Sequence, residues 1–61
     1  MPRFEITFAT SNPNAEDPNG LWYNYYTASS QDEAIFLFAT DIYHMKNSIE
    51  WFKVIDISII G

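Results

Sequence analysis

The chain has 61 residues and a formal net charge of −5, with eight acidic residues, three lysines and arginines, one histidine and no cysteine. This length allows a single domain, and the cysteine and histidine counts leave neither a disulfide framework nor a ligand set for a structural metal. The acidic balance disfavours direct binding to DNA or RNA, because contacts with phosphate depend on lysine and arginine.

Small domains without disulfides or metals are commonly stabilised by association with another chain or by a dense core. Two tryptophans, four tyrosines and five phenylalanines can supply such a core. No apolar run approaches the roughly 20 residues of a membrane span, and the start of the chain lacks the apolar segment of a secretory signal. The sequence therefore predicts a soluble, cytoplasmic protein that does not enter a membrane.

The first predicted element is a strand over residues 3–9, where apolar and polar residues alternate. Phe4, Ile6 and Phe8 share one face, which is the period of a half-buried strand. Residues 10–20 follow without apolar periodicity and with two prolines, so they form a loop.

Oxygen-bearing side chains occur at short spacing in this loop, in a pattern superficially similar to a calcium site. They are Asn12, Asn14, Glu16, Asp17 and Asn19. The flanking helices, central glycine and terminal glutamate of an EF-hand are missing, so no metal is predicted. A solvated loop is favoured, with contact to a partner as the alternative.

Residues 21–28 are rich in aromatic and β-forming residues, and they predict a second strand antiparallel to the first. Both faces of this strand are substantially apolar. We expect Trp22, Tyr26 and Ala28 to point inward, which leaves Tyr23 and Tyr25 on the opposite face.

A capping box predicts the start of a helix at Ser30, whose hydroxyl can accept from the amide of Glu33 while Glu33 reaches back to the amide of Ser30. The helix should run to about Lys46 and stop at Asn47 and Ser48. Five residues form the apolar stripe expected to face the sheet: Ala34, Ile35, Phe38, Ile42 and Met45.

The third predicted strand covers residues 50–60, with Ile55, Ile57 and Ile59 alternating against polar residues and facing the helix. The fold class is then α+β, a ββαβ two-layer open-faced sandwich with a three-stranded sheet and one helix on one face. A right-handed crossover favours the strand order 2-1-3, with an antiparallel 1-2-3 order as the alternative.

Two surfaces are candidate binding sites. The first is the open sheet face, where the inward placement of the isoleucines leaves Tyr23, Tyr25, Phe52 and Val54 outward. An equally weighted alternative is that a bulge near Lys53 turns some of these side chains over the edge of the core.

The second candidate binding site is a helix flank formed by Asp32, Glu33, Phe36, Thr40 and Tyr43. Its alternative is a wide helix stripe in which one aromatic residue packs under a loop.

The sequence gives little support for a catalytic site or for a bound cofactor. His44 is the only histidine, no cysteine is present, and the glycines are Gly20 and Gly61, so neither a nucleophile–base pair nor a phosphate-binding loop is indicated. The leading hypothesis is therefore a small non-enzymatic module that binds a protein partner, with no cofactor and no direct contact with nucleic acid.

Compact acidic domains of this kind are common among phage and mobile-element accessory proteins, and this general likeness suggests a stoichiometric inhibitor or adaptor acting by surface occlusion. The expected partner is basic or nucleic-acid-binding, which includes mimicry of nucleic acid by carboxylates. The alternative is a self-associating structural or small-ligand-binding domain that forms a homodimer through its open sheet face.

Overall fold

The computed structural model describes residues 1–12, 14, 18–45 and 49–61. Its elements are, in chain order, β1 (Arg3–Thr10), β2 (Leu21–Thr27), α1 (Gln31–His44) and β3 (Phe52–Ile59). The strands form one sheet in the order β2-β1-β3, with both outer strands antiparallel to β1, and α1 packs on one face. The α+β fold and the order 2-1-3 are confirmed, and the alternative order 1-2-3 is wrong.

The central strand lies at the middle of the core. Phe4, Ile6 and Phe8 are all buried, as their alternation predicts, because β1 has a strand on each side and a helix above. Ile6 and Phe8 belong to a cluster that includes Phe38 and Ile42 of α1. A second cluster joins Phe4, Ala28 and Ala34.

The register of β2 confirms its predicted orientation. Tyr26 lies opposite Phe4 and Trp22 opposite Phe8, on the face covered by α1, and Ala28 is buried beyond the strand. The indole Nε1 of Trp22 is buried without a hydrogen-bond acceptor in the part of the chain that the structure describes. Gly20 enters the strand with φ of 78°, a left-handed conformation that favours glycine.

The N-terminus of α1 is capped by Ser30, whose hydroxyl accepts from the Glu33 N–H at 3.2 Å. The carboxylate of Glu33 does not return to the Ser30 amide as expected. It accepts from the hydroxyl of Ser29 at 2.8 Å and from its N–H at 3.4 Å. At the other end the Met45 N–H donates to the Ile42 carbonyl at 3.0 Å. The predicted helix stop at Asn47 and Ser48 lies outside the described residues.

The buried stripe of α1 is narrower than predicted. Ala34, Phe38 and Ile42 are buried at four-residue spacing, and Met45 is half-buried. Ile35, which we expected to face the sheet, is exposed. The backbone of α1 comes close to β1 and β2 but not to β3 in the described part of the chain, so the helix buries a narrower stripe than three strands would cover.

An irregularity in β3 places some of its side chains on the opposite sheet face from the one predicted. Asp56 lies opposite Thr7 and Val54 lies opposite Phe8, so Ile55 is an extra residue in the β1–β3 register, a β-bulge. Ile57 stays on the helix side, opposite Ile6, as predicted.

The bulge corrects three predictions. Ile55 does not alternate with the other isoleucines toward the helix, since it is the bulged residue and is 50% exposed. Phe52 and Val54 are not on the open face: they lie opposite Thr10 and Phe8, on the helix side. The alternative interpretation, which places a bulge near Lys53, is borne out: the bulged residue is Ile55, two residues further along the chain.

Candidate protein-binding site

The helix covers the sheet unevenly. Among the described residues, the backbone of α1 comes close to β1 and β2 but not to β3. β3 reaches the core through Ile57 and through the ring of Phe52, which meets the ring of Phe38 edge-on at a centroid distance of 6.0 Å. Ile59 faces the helix side yet is 68% exposed. Val54, Ile59 and part of Phe52 therefore form an uncovered apolar strip on the helix side of β3.

Next to this strip, the C-terminal half of α1 and the segment that leads into β3 enclose a groove of about 420 Å³. We call it the α1–β3 groove. Its described lining is apolar and aromatic apart from one carboxylate. The lining residues are Ala39, Ile42, Tyr43, Ile49, Glu50, Trp51 and Phe52.

The wall of the groove opposite the helix is fixed by contacts with the end of β1. Ile49 is buried in the main core cluster. The Glu50 N–H donates to the Ser11 hydroxyl at 2.6 Å, and the Ser11 N–H donates to the Trp51 carbonyl at 3.1 Å. Because the backbone of this segment is held in this way, the indole of Trp51 is displayed at a defined position while remaining 53% exposed.

The side chains of the groove suit a protein contact. Tyr43 is 64% exposed, and Phe52 and Trp51 are also exposed. Tyrosine and tryptophan are enriched among the residues that dominate binding energy at protein interfaces, because they bury large areas and also carry a polar group. Glu50 adds a negative charge at the exposed rim.

The open sheet face has a different character. Tyr25 lies opposite Glu5, and the Arg3 guanidinium sits over the Tyr25 ring at 5.3 Å from its centroid. Hydrogen bonding to Glu5 raises the pKa of Tyr25, as do desolvation and the Glu5 charge, while Arg3 opposes them. On the other flank of this face the Ser58 hydroxyl donates to Asp56 at 2.9 Å. Tyr23 and Tyr25 therefore lie on a mixed polar surface rather than on an aromatic patch.

The helix-flank residues divide between two places. Phe36 and Tyr43 lie on the solvent face of α1 two turns apart, and the Thr40 hydroxyl between them donates to the Phe36 carbonyl at 3.0 Å. Of these, Tyr43 reaches the groove. Asp32 and Glu33 are at the N-terminus of the helix, where Glu33 is engaged in capping.

The groove thus unites Tyr43 from one predicted set with Phe52 from the other, and it adds residues that sequence reasoning misses. Chief among them is Trp51, which the sequence pattern places inside a strand starting at Glu50. The strand begins at Phe52, so Trp51 belongs to the connection. The detectable signal is the aromatic pair at positions 51 and 52 soon after the helix.

Within the described ranges, no three histidine or acidic side chains cluster closely enough to hold a metal ion. His44 is exposed on α1, with its ring 6.1 Å from that of Tyr43. In the part of the chain that the structure describes, α1 has 14 residues and is too short to cross a lipid bilayer. Comparisons of the chain with protein-family models, curated proteins and solved structures found no match.

Proposed function

We propose that the protein is a small non-enzymatic protein-binding module that holds an apolar side chain of its partner in the α1–β3 groove. The observation that carries this proposal is the groove itself: about 420 Å³ of space lined by apolar and aromatic side chains on a fixed backbone. This volume lies in the lower part of the range of about 300–1,000 Å³ typical of pockets that receive small ligands. One aromatic or branched aliphatic side chain fills much of it.

The charges around the groove define the rest of the partner. Among the described lining residues Glu50 alone is charged, and the chain as a whole carries a net charge of −5. A lysine or arginine next to the anchoring side chain can pair with Glu50, and a basic surface around it is attracted by the acidic domain. The partner is accordingly a basic protein of the cytoplasm, a class that includes nucleic-acid-binding proteins.

Occlusion is the mechanism open to such a module. A domain of 61 residues that seats a partner's side chain in one groove covers the neighbouring surface of that partner and blocks whatever else binds there. The protein then acts stoichiometrically, as an inhibitor or an adaptor, and its effect is set by its concentration relative to the dissociation constant.

A display library of random peptides tests this proposal. We expect the wild-type protein to select peptides in which an aromatic or branched aliphatic residue is adjacent to lysine or arginine. Trp51→Ala should weaken binding of the selected peptides at least about thirtyfold, because hot-spot truncations cost about 2 kcal/mol or more. Isothermal titration calorimetry measures the change.

Phe36→Ala is the matched control, since Phe36 is an aromatic residue of α1 that is 69% exposed and lies outside the described lining of the groove. It should leave peptide affinity unchanged. Selected peptides that bind Trp51→Ala as tightly as wild type, or that lose affinity equally with Phe36→Ala, would remove the groove as the binding site.

A further inference from the structure

We propose that two copies of the chain pair through β3, edge to edge and antiparallel, so that their three-stranded sheets become one continuous sheet. This inference goes beyond the proposed function and does not rest on it. Two antiparallel copies of β3 match each other in three ways: in the outward direction of their backbone groups, in the sheet face of the paired side chains, and in charge. One register satisfies all three.

The backbone of β3 is available for pairing. β3 lies at the edge of the sheet and has eight residues without a proline. The Ile60 N–H donates inward to the Arg3 carbonyl at 2.8 Å. Backbone groups alternate in direction on each side of the bulge. Ile57 and Ile59 therefore direct theirs outward on one side, and Phe52 does so on the other, next to Trp51, whose carbonyl accepts inward from Ser11. An edge of this length with exposed apolar side chains is a template for another strand.

The facing of the side chains is matched in an antiparallel pair centred between Val54 and Ile55. In this register Phe52 comes opposite Ile57 of the second copy, and both residues lie on the helix side, since they face Thr10 and Ile6 in the β1–β3 register. Lys53 comes opposite Asp56 of the second copy, and both of these lie on the open face.

A shift of the centre by half a residue breaks this match. Moving the centre onto Ile55 would set Lys53 opposite Ile57 of the second copy, and moving it onto Val54 would set Phe52 opposite Asp56. Both shifts put a charged side chain opposite an apolar one of the other face.

A shift of the centre by one full residue, to a point between Ile55 and Asp56, keeps the facing but loses the charge pairs. It sets Lys53 opposite the uncharged Ser58 and Asp56 opposite Ile55 of the second copy. The register centred between Val54 and Ile55 is therefore the one in which facing and charge agree.

Charge complementarity then favours a second copy over an unrelated strand. The twofold axis repeats the pair of Lys53 and Asp56, so each dimer has two cross-strand pairs of opposite charge on its open face. The other edge strand offers nothing comparable: β2 has no charged residue, and its Tyr26 is bonded to the helix through Asp41. Pairing through β3 also covers part of the apolar strip that α1 leaves exposed.

Sedimentation equilibrium over a concentration series tests the pairing. The wild-type protein should form a dimer. Lys53→Asp sets Asp opposite Asp twice, and Asp56→Lys sets Lys opposite Lys twice, so each single reversal should raise the dimer dissociation constant by about tenfold or more. A wild-type protein that stays monomeric at every accessible concentration would overturn the inference.

The decisive sample is an equimolar mixture of the two reversed proteins. In the proposed register, position 53 of each protein lies opposite position 56 of the other, and both of these mixed pairs join one aspartate to one lysine. The mixture should therefore form heterodimers as tight as the wild-type dimer. Single reversals without effect, or a mixture that stays monomeric, would contradict the register.

The double exchange, Lys53→Asp together with Asp56→Lys in one chain, is the control for folding. It restores both pairs of opposite charge with their direction reversed, so it should dimerise as wild type does. A double exchange that stays monomeric although it is folded by circular dichroism would also contradict the register.

Dimerisation and peptide binding can be lost independently of each other. Tyr43→Ala, on the helix wall of the groove, should weaken the selected peptides and leave the dimer dissociation constant unchanged, whereas Lys53→Asp should weaken the dimer without weakening the peptides. Loss of both properties in either variant would show that the two surfaces are one, which contradicts the pairing proposed here.

Discussion

The two flanks of the sheet face the same core strand but differ in what lies over them. Phe4 of β1 has Tyr26 of β2 on one side and Ile59 of β3 on the other, and all three side chains point toward the helix side. Tyr26 is half-buried, and its hydroxyl donates to Asp41 of α1 at 2.7 Å. Ile59 is 68% exposed. Pointing toward the helix side is therefore not the same as being covered by the helix.

The width of a helix explains the difference. An α-helix with its side chains is about 10–12 Å across, and neighbouring strands lie about 4.8 Å apart. One helix therefore covers about two strands of a sheet, and in a three-stranded sheet one flank is left over. Here α1 lies over β1 and β2, and the bond between Tyr26 and Asp41 ties it to that side.

Truncating the two residues that flank Phe4 should affect the two sides of the sheet very differently. Tyr26→Ala should lower the free energy of unfolding by about 2–4 kcal/mol, since it removes a half-buried ring and its hydrogen bond to α1. Ile59→Ala should cost at most about 1 kcal/mol in the monomer, because most of the side chain it removes is already in water. Urea unfolding at a protein concentration well below dimerisation measures both.

Equal costs for the two variants would mean that β3 is covered as well as β2, and the uncovered strip would then be lost as a feature of the protein. Repeating the measurement at high protein concentration separates the two flanks further. If a second copy pairs with β3 in the register proposed above, truncating Val54 at the centre of that register should cost more as concentration rises, while the cost of Tyr26→Ala stays constant.

The contrast between the flanks also shows which features of the fold could be predicted from the sequence. The alternation in β1 and the capping residues of α1 predict the elements well because they depend on neighbouring residues alone. The choice between the orders 2-1-3 and 1-2-3 depends on the pairing of β3 with β1, two segments that are distant in the chain. The lateral position of α1 depends on contacts such as that of Tyr26 with Asp41, fifteen residues apart, which no local period encodes.

The candidate site is only partly predictable for the same reason. Helical spacing identifies Tyr43, whereas an alternation that runs through Ile55 without a break assigns Phe52 to the wrong face. The adjacent apolar residues Val54 and Ile55 are the sequence trace of the bulge. Trp51 escapes prediction because the groove forms between elements that are distant in the chain.

On the β2 side, the contact between Tyr26 and α1 should also be visible in the alkaline titration of Tyr26. Burial, together with the hydrogen bond to Asp41 and its negative charge, raises the pKa of Tyr26 from 10.0 to about 12, while the hydrogen bond from Asn24 lowers it. A pKa that is higher in the folded state stabilises the fold below the unfolded value and loses that contribution as pH rises. The free energy of unfolding should therefore fall between about pH 10 and pH 12.

Tyr26→Phe isolates this contribution, because the other tyrosines titrate in both proteins. At neutral pH the variant should be about 1 kcal/mol less stable than wild type, from the lost hydrogen bonds. The difference should shrink as pH rises through that window, and the ultraviolet absorbance of phenolate should show one late-titrating group missing. A constant difference up to about pH 12 would mean that Tyr26 is not held against α1.

Deleting the bulged residue of β3 tests which sheet face the residues before the bulge occupy. Deleting Ile55 leaves Phe52, Val54 and Ile57 alternating without a break against Lys53 and Asp56, so the strand can pair with β1 as a regular ladder in the register it already has. The free energy of unfolding should change by less than about 1 kcal/mol. Urea unfolding measures this change as well.

Deleting Ile57 is the matched control, since it removes the same side chain but brings Asp56 opposite the fully buried Ile6. That deletion should cost several times more, because a carboxylate would enter the core side of the sheet. If the two deletions are equally damaging, the extra residue is an integral part of the strand, and the face assigned to Phe52 and Val54 by the bulge would have to be given up.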